Sequence, residues 1–368
     1  MPRRRRLHRD SPTMPPSTPP AADPSPIAWA DEARHDAFSH WLALQAERHG
    51  AVPGSLRTAS ADASFRRYFR VDTATGPRIV MDAPPAQEDC RPFVKVSALL
   101  RSAGLNAPEV IEWDEAQGFM LLSDLGDRTY LSQLDDQNAK PLYLDALSAL
   151  VRLQGIDSAG QVPAYDRELL MRELQLFPEW YVARHVGATL SAEESEQLAA
   201  CFELIVQNNL AQPTALVHRD YHSRNLMLSG EPGTQANPGI LDFQDAVQGP
   251  VTYDLASLLR DAYIELEEDV QIDFAVRYWE RARKAGVPVD ADFGAFWRDF
   301  EWMGLQRHLK VLGIFARLSK RDGKDGYLKD LPLVWRYAHR TATRYNGLGP
   351  LAHLLERLAG VQREEGFC

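Results

Sequence analysis

Residues 215–228 read ALVHRDYHSRNLML, and residues 240–245 read ILDFQD. Each opens with a short apolar stretch of strand type, ALV and IL, that runs into polar, ionisable residues. The segment between them, SGEPGTQANPG, is dominated by Gly, Pro and other turn formers, a composition that makes loop. Together they predict a β-hairpin that presents its ionisable side chains at the strand ends. His218, Asp220, Asn225 and Asp242 are singled out by their spacing.

Those residues fit the pattern H-x-D-x-x-x-x-N followed by D-F, which serves phosphoryl transfer from ATP. A hydroxyl that attacks a γ-phosphate needs a carboxylate at its proton, and Asp220 is the candidate catalytic base. Asn225 lies five residues further on, so one loop turn aims both side chains at one pocket. Mg²⁺ takes hard oxygen donors, usually one or two carboxylates with phosphates and water. Asn225 and Asp242 supply a neutral and an anionic oxygen for it. The competing explanation makes HRD a surface turn and Asp242 a strand-end cap. Both motifs in this order on predicted strands argue against it.

The chain has 368 residues, enough for two domains or one two-lobed domain. Its 45% hydrophobic and 25% charged content is that of an ordinary globular protein. A net charge of −10 disfavours nucleic acid as a partner. Cys90, Cys201 and Cys368 are scattered and lack ligand spacing, which points to a reducing compartment without a disulfide framework or zinc site. No apolar run approaches the roughly 18 residues of a membrane span. The expected location is the cytoplasm, with no membrane partner.

Residues 1–26 carry five arginines and eight prolines and are expected to be a disordered tail. No apolar segment follows the basic start, so the tail is not a signal peptide. Residues 28–48 have the apolar spacing of an amphipathic helix. Strands are expected at 55–59, 65–71 and 78–82, a helix at 91–103, and strands at 110–113 and 119–122. This β-β-β-α-β-β order is that of a small kinase lobe. Residues 122–126, LSDLG, form the expected hinge, where backbone groups at Ser123 and Leu125 can pair with an adenine edge. Helices dominate afterwards, at 140–154, 167–186, 191–212, 251–264, 272–285, 293–318 and 331–346. Ser191 followed by Glu194 is a capping-box start.

HRDYHSRN, LDFQD and the following GPVTYDLASLLRD resemble the aminoglycoside phosphotransferase/choline kinase branch of the protein-kinase-like fold, over roughly residues 55–261. Within that branch, ADASFRRYFRV, IVMDAPP, LLSDLGDRTYL, RELQLFPEWY and LQRHLKVLGIFARLSKRDGKDGYLKDLP are similar to the bacterial N-acetylmuramate/N-acetylglucosamine anomeric kinases of cell-wall recycling. The resemblance implies an α+β, two-lobed fold. A small antiparallel β-sheet lobe (27–124) would bind the nucleotide, and a mainly helical lobe (125–368) would carry catalysis and sugar binding. It implies ATP and Mg²⁺ as cofactors and a small-molecule amino sugar as partner. Asp254 sits where the family keeps a second, structural acid, and His218 is expected to pack beneath the loop. His222 is left unassigned.

The sequence departs from the family pattern at the phosphates. No glycine-rich loop is present: Ser60, Ala61, Asp62, Ala63 and Ser64 stand in its place. Small residues still let backbone N–H groups approach a phosphate. Met81 occupies the position of the strand lysine, and its glutamate partner would fall near Phe93. Losing both charges together is physically reasonable, because either one left alone and buried would be costly. Arg66, Arg67 and Lys95 are the candidate replacements. A catalytically dead nucleotide-binding regulator is the alternative from another class, yet Asp220, Asn225 and Asp242 are all retained.

Three acceptors compete. A polycationic aminoglycoside would want an acidic wall, for which Glu265, Glu267, Glu268 and Asp269 are available. Choline would want an aromatic cage, for which Trp180, Tyr181 and Trp302 are available. N-acetylmuramate carries a carboxylate and a sugar ring, which suit Arg172, Trp180, Arg307, His308 and Lys310. Arg307 and Lys310 lie three apart on one predicted helix and so share a face.

Overall fold

The computed structural model describes residues 27–29, 31–61 and 65–360. The arginine-rich tail and the loop positions Asp62, Ala63 and Ser64 lie outside the described residues. The chain forms two compact units. One comprises the described chain up to Arg128 together with Met227–Asp245, and the other Thr129–Leu226 and the chain from Ala246 onward. The boundary thus falls after Arg128 rather than after residue 124, and the segment after the HRD loop groups with the first unit.

The first unit opens with helix α1, Glu32–His49. Asp31 caps it by accepting from the Ala33 N–H, and Gly50 ends it at φ 66°, a left-handed conformation that glycine takes without strain. Strands β1 (Arg57–Ala61), β2 (Arg67–Val71) and β3 (Arg78–Asp82), helix α2 (Arg91–Ser102), and strands β4 (Val110–Asp114) and β5 (Phe119–Ser123) follow. The five strands form one antiparallel sheet in the order β1-β2-β3-β5-β4. Phe69, Val80 and Leu121 are register partners across β2, β3 and β5. With Val71 and Phe119 they bury against Phe38, Trp41 and Leu42 of α1. Strand alternation therefore assigns one sheet face to α1, and Arg67 shares that face with Phe69 and Val71. Ser60 and Ala61 end β1.

The second unit contains α3 (Tyr130–Gln133), α4 (Ala139–Gln154), α5 (Arg167–Leu174), a π-helix (Phe177–Val186) and α6 (Ala192–Ala211). The single helix expected over 167–186 is interrupted. Pro178 at the start of its second half lacks the N–H that a continuing α-helix would use. Ser191 and Glu194 form the reciprocal capping box at α6. The hairpin expected from the opening motif resolves into two ladders. β6 (Thr214–Val217) pairs antiparallel with β9 (Val247–Pro250), whereas β7 (Leu226–Met227) pairs with β8 (Gly239–Ile240). Arg219 at φ 76° and Asp242 at φ 63° explain the difference, because both leave extended geometry where one long ladder would need it.

Helices α7 (Tyr253–Leu259), α8 (Glu268–Ala285), α9 (Phe293–Asp322), α10 (Leu331–Arg344) and α11 (Gly349–Leu358) complete the unit. The 30-residue α9 is its axis, capped by Asp292 at one end and by left-handed Gly323 at the other. Its apolar side chains Met303, Leu305, Leu309, Leu312 and Phe315 lie in one core with Phe177, Ile205 and Val334. At Gly313 the helix backbone runs hard against the start of the π-helix. A Cβ there would sit 2.4 Å from the Leu176 carbonyl carbon and oxygen. Gly313→Ala is expected to cost about 1–3 kcal/mol, read as a lower denaturation midpoint.

Candidate active site

β6 is buried along Ala215–Val217 and delivers the loop His218–Asn225 at its C-terminal end. The loop is held by side chains from the helices around it. The Asp254 carboxylate, fully buried on α7, accepts from the backbone N–H of His218 at 2.6 Å and of Arg219 at 3.0 Å. Burial nonetheless pushes its carboxyl up to about 7 against those two donors. Asp261 accepts from the Ser223 N–H at 3.0 Å and, with its other oxygen, from the Tyr263 N–H at 3.1 Å. His218 is buried, and its Nδ1 accepts from the Asp220 N–H at 3.2 Å. The Asn225 amide donates to the Asp220 carbonyl at 3.0 Å, which ties together the candidate base and the candidate metal donor.

Arg219 occupies the left-handed region that a non-glycine residue rarely takes, and its side chain explains why it stays there. The guanidinium pairs with Glu173 of α5. Glu173 also accepts from Tyr165 and lies 2.9 Å from the Lys310 ammonium, which reaches the Tyr253 hydroxyl at 3.1 Å. Burial would push the Lys310 amine down, but Glu173 and then Tyr253 outweigh it and hold it at about 12.

The Asp220 side chain keeps 42% of its surface exposed. Burial by the surrounding walls would push its carboxyl up. Lys310, then His222, His218 and Arg219, outweigh that effect and hold it below the ordinary range. His222 Nε2 lies 4.0 Å from the Asp220 carboxylate. Burial pushes this ring down, toward the neutral form. The His222 ring meets Tyr263 edge-on at 5.6 Å, and Tyr263 continues to Phe315 at 6.0 Å and Tyr327 beyond it at 5.1 Å.

Other residues singled out by sequence are placed differently from expectation. Arg307 and His308 are 3% and 0% exposed. Both direct a nitrogen to the Arg260 carbonyl, and the His308 ring stacks on Tyr337, so both side chains are enclosed in the unit. Trp180 belongs to the α9 core, and the Arg184 guanidinium covers its ring at 4.0 Å. Arg172 is exposed on α5. The shared face of Arg307 and Lys310 turns inward because α9 is enclosed by its neighbours. That enclosure has no counterpart in helical periodicity.

In the first unit, Arg67 lies on the α1-covered face, pairs with fully buried Asp82 and stacks over Trp29 at 3.9 Å. Its charge is thus committed to Asp82, which it shares with Arg34. Arg66 lies 3.5 Å from Glu88, and Lys95 is on the solvent side of α2. Met81 and Phe93 are both buried, and Phe93 packs on Phe243 at 4.8 Å, so apolar contact replaces the missing lysine–glutamate pair. At the hinge the Ser123 N–H donates to the Glu109 carbonyl, and the Leu125 carbonyl accepts from Ser229 at 3.1 Å. Asp242 is exposed and accepts from Gln244 at 2.8 Å. Among the described residues no three His, Cys, Asp or Glu side chains gather as a metal cluster. An amide oxygen and a carboxylate are donor types that suit an ion whose remaining ligands come from phosphates and water.

The comparisons with known proteins agree with this architecture. The model described as "Phosphotransferase enzyme family" matches residues 55–287. The chain belongs to that family. This phosphotransferase is 48% identical to the N-acetylmuramate/N-acetylglucosamine kinase of Pseudomonas aeruginosa, over 89% of the chain and 98% of the relative. It is 47% identical to the protein of that name from Neisseria meningitidis serogroup B, over 85% and 93% respectively. Among solved structures, ADP-bound aminoglycoside phosphotransferase APH(2'')-Ib superposes with a TM-score of 0.53 at 15% identity, over 83% of this chain and 97% of that one. The fold of the phosphotransferase is therefore protein-kinase-like. No helix among its described residues is long and apolar enough to cross a membrane.

Proposed function

We propose that the protein is an ATP-dependent kinase for N-acetylmuramate and N-acetylglucosamine, acting on the anomeric C1 hydroxyl in peptidoglycan recycling. The observation that carries the reading is a half-exposed Asp220 carboxylate on a loop fixed by the Asp254 and Asp261 side chains and backed by an aromatic wall. Sequence identity of 45–48% to kinases of that name supports the choice of sugar.

In the proposed reaction the C1 hydroxyl oxygen attacks the γ-phosphorus of ATP in line, and the bond to the ADP oxygen breaks. Asp220 orients the hydroxyl and takes its proton. An anomeric hydroxyl is more acidic than an ordinary alcohol, so a carboxylate of low basicity suffices. Asn225 and Asp242 would hold Mg²⁺, which when bound neutralises charge on the phosphate oxygens. Asp254, Asp261 and the Glu173–Arg219 pair keep the loop in its strained shape.

The competing acceptors find less support. Glu265 is matched by Arg336 and Glu268 by Arg344, which removes charge from the acidic wall that a polycation would need. Trp180 and Trp302 are taken up in packing and form no cage. The deciding experiment is ADP release from purified protein with ATP and Mg²⁺. N-acetylmuramate and N-acetylglucosamine should be turned over, and kanamycin-type compounds and choline should not. ATP binding without turnover of any acceptor would favour the non-enzymatic regulator.

The pH profile offers a second check. Because Lys310 lowers the Asp220 pKa, the Asp220 step in kcat/KM should fall below the ordinary carboxylate range. Lys310→Met removes that cation, so the Asp220 pKa rises and the acid limb moves to higher pH. Arg219 remains to pair with Glu173. An unmoved limb would show that Asp220 is not the group being titrated.

A further inference from the structure

Arg224 stands between the candidate base and the candidate metal ligand in sequence, four residues after Asp220 and directly before Asn225. Its guanidinium carbon lies 5.0 Å from the ring centre of Tyr263 and 5.4 Å from that of Tyr327. Tyr263 in turn packs on His222, the neighbour of Asp220. An unbroken wall of the second unit therefore runs from the base through His222 and Tyr263 to Arg224 and Tyr327.

The state of this arginine sets it apart from the others near the loop. Arg219 is spent on Glu173, Arg260 on Glu301, and Arg307 is buried against a backbone carbonyl. Arg224 is exposed, and among the described residues it makes no ion pair. Asp330 feels its charge only at longer range. The Tyr263 and Tyr327 side chains hold the fork in place by hydrogen bonding and ring contact, so its remaining N–H groups are pre-arranged for an incoming anion.

We propose that Arg224 reads a carboxylate on the acceptor, and that it sets the preference for an acidic over a neutral amino sugar. This rests on the amino-sugar reading above. A sugar ring would lie along the Tyr263–Tyr327 wall, and Arg224 meets the lactyl carboxylate of N-acetylmuramate beside it. N-acetylglucosamine, which lacks that group, gains nothing from the arginine.

The test compares full-length wild type, Arg224→Leu and Arg224→Lys on N-acetylmuramate, its carboxamide and N-acetylglucosamine, by ADP release. A charge-assisted hydrogen bond predicts that wild type favours the acid over the carboxamide by roughly tenfold to a hundredfold in kcat/KM. Arg224→Leu should erase that preference and lower the ratio of N-acetylmuramate to N-acetylglucosamine efficiency by the same factor. Arg224→Lys should retain part of it. Equal use of acid and carboxamide by wild type, which needs no variant, would overturn the proposal. So would a variant that loses efficiency on all three sugars by the same factor. If wild type turns over none of the three, the amino-sugar reading itself fails, and the Arg224 proposal with it.

Discussion

Asp220→Asn is expected to fold normally and to release ADP about 10²–10⁴ times more slowly at saturating substrate. The substitution keeps size and hydrogen-bonding capacity but removes the basic oxygen. Asp220 makes little of the loop's own scaffold with its carboxylate: its backbone N–H goes to His218 Nδ1 and its carbonyl to Asn225. The framework provided by Asp254 and Asp261 is untouched. Loss should therefore appear in kcat, with KM for ATP and the melting temperature nearly unchanged. A rate within a few fold of wild type would remove Asp220 from the role of base. Parallel loss of Tm would make it structural instead.

The second large effect lies away from the loop. Glu301→Ala is expected to destabilise the protein by about 3–5 kcal/mol, because it strands a charge where water cannot reach. Arg260 and Glu301 are both fully buried and pair at 2.7 Å. The same guanidinium bonds Gln271 of α8 at 3.1 Å and Thr341 of α10 at 3.2 Å. Glu301 also receives Arg344 at 2.6 Å and Tyr345 at 2.8 Å. One network thus ties α7, α8, α9 and α10 together. For a unit of this size the loss corresponds to a Tm drop of roughly 6–20 °C. The double change Arg260→Met with Glu301→Leu should recover much of it, since apolar replacement removes both desolvated charges at once. Calorimetry on Arg260→Met, Glu301→Leu and their double change decides the matter. Additive losses would show that the pair is not coupled.

Motif spacing made the HRD loop, Asp242 and the alternation of the small sheet legible before any coordinates. Those features are local: strand period two, a five-residue offset, turn composition between apolar runs. Residues that act across the fold were harder to see. Glu173 on α5 and Asp261 just beyond α7 anchor the loop from 46 and 38 residues away. Nothing in their immediate neighbours distinguishes them from surface acids. The burial of Arg307 and His308 was hidden in the opposite way: a cationic stripe on a helix normally faces water, but the middle of α9 is enclosed by its neighbours. The face of the sheet to which Arg67 belongs depended on where α1 lies, a tertiary fact. Arg224 was visible as a basic residue in the motif. Its significance came only from the tyrosines around it, Tyr263 and Tyr327, which lie 39 and 103 residues downstream.

Met227–Asp245 belongs to the first compact unit although the chain has already entered the second at Thr129. Within that returning segment, the Ile240 N–H donates to the Asn106 carbonyl, and the Leu228 N–H donates to the Arg128 carbonyl. A fragment that stops at Arg128 would thus lack part of its own scaffold, including the Phe243 ring that packs on Phe93. Anyone dissecting this protein by truncation should graft the later piece back through a short linker. Simple cleavage at the midpoint of the chain yields two incomplete bodies.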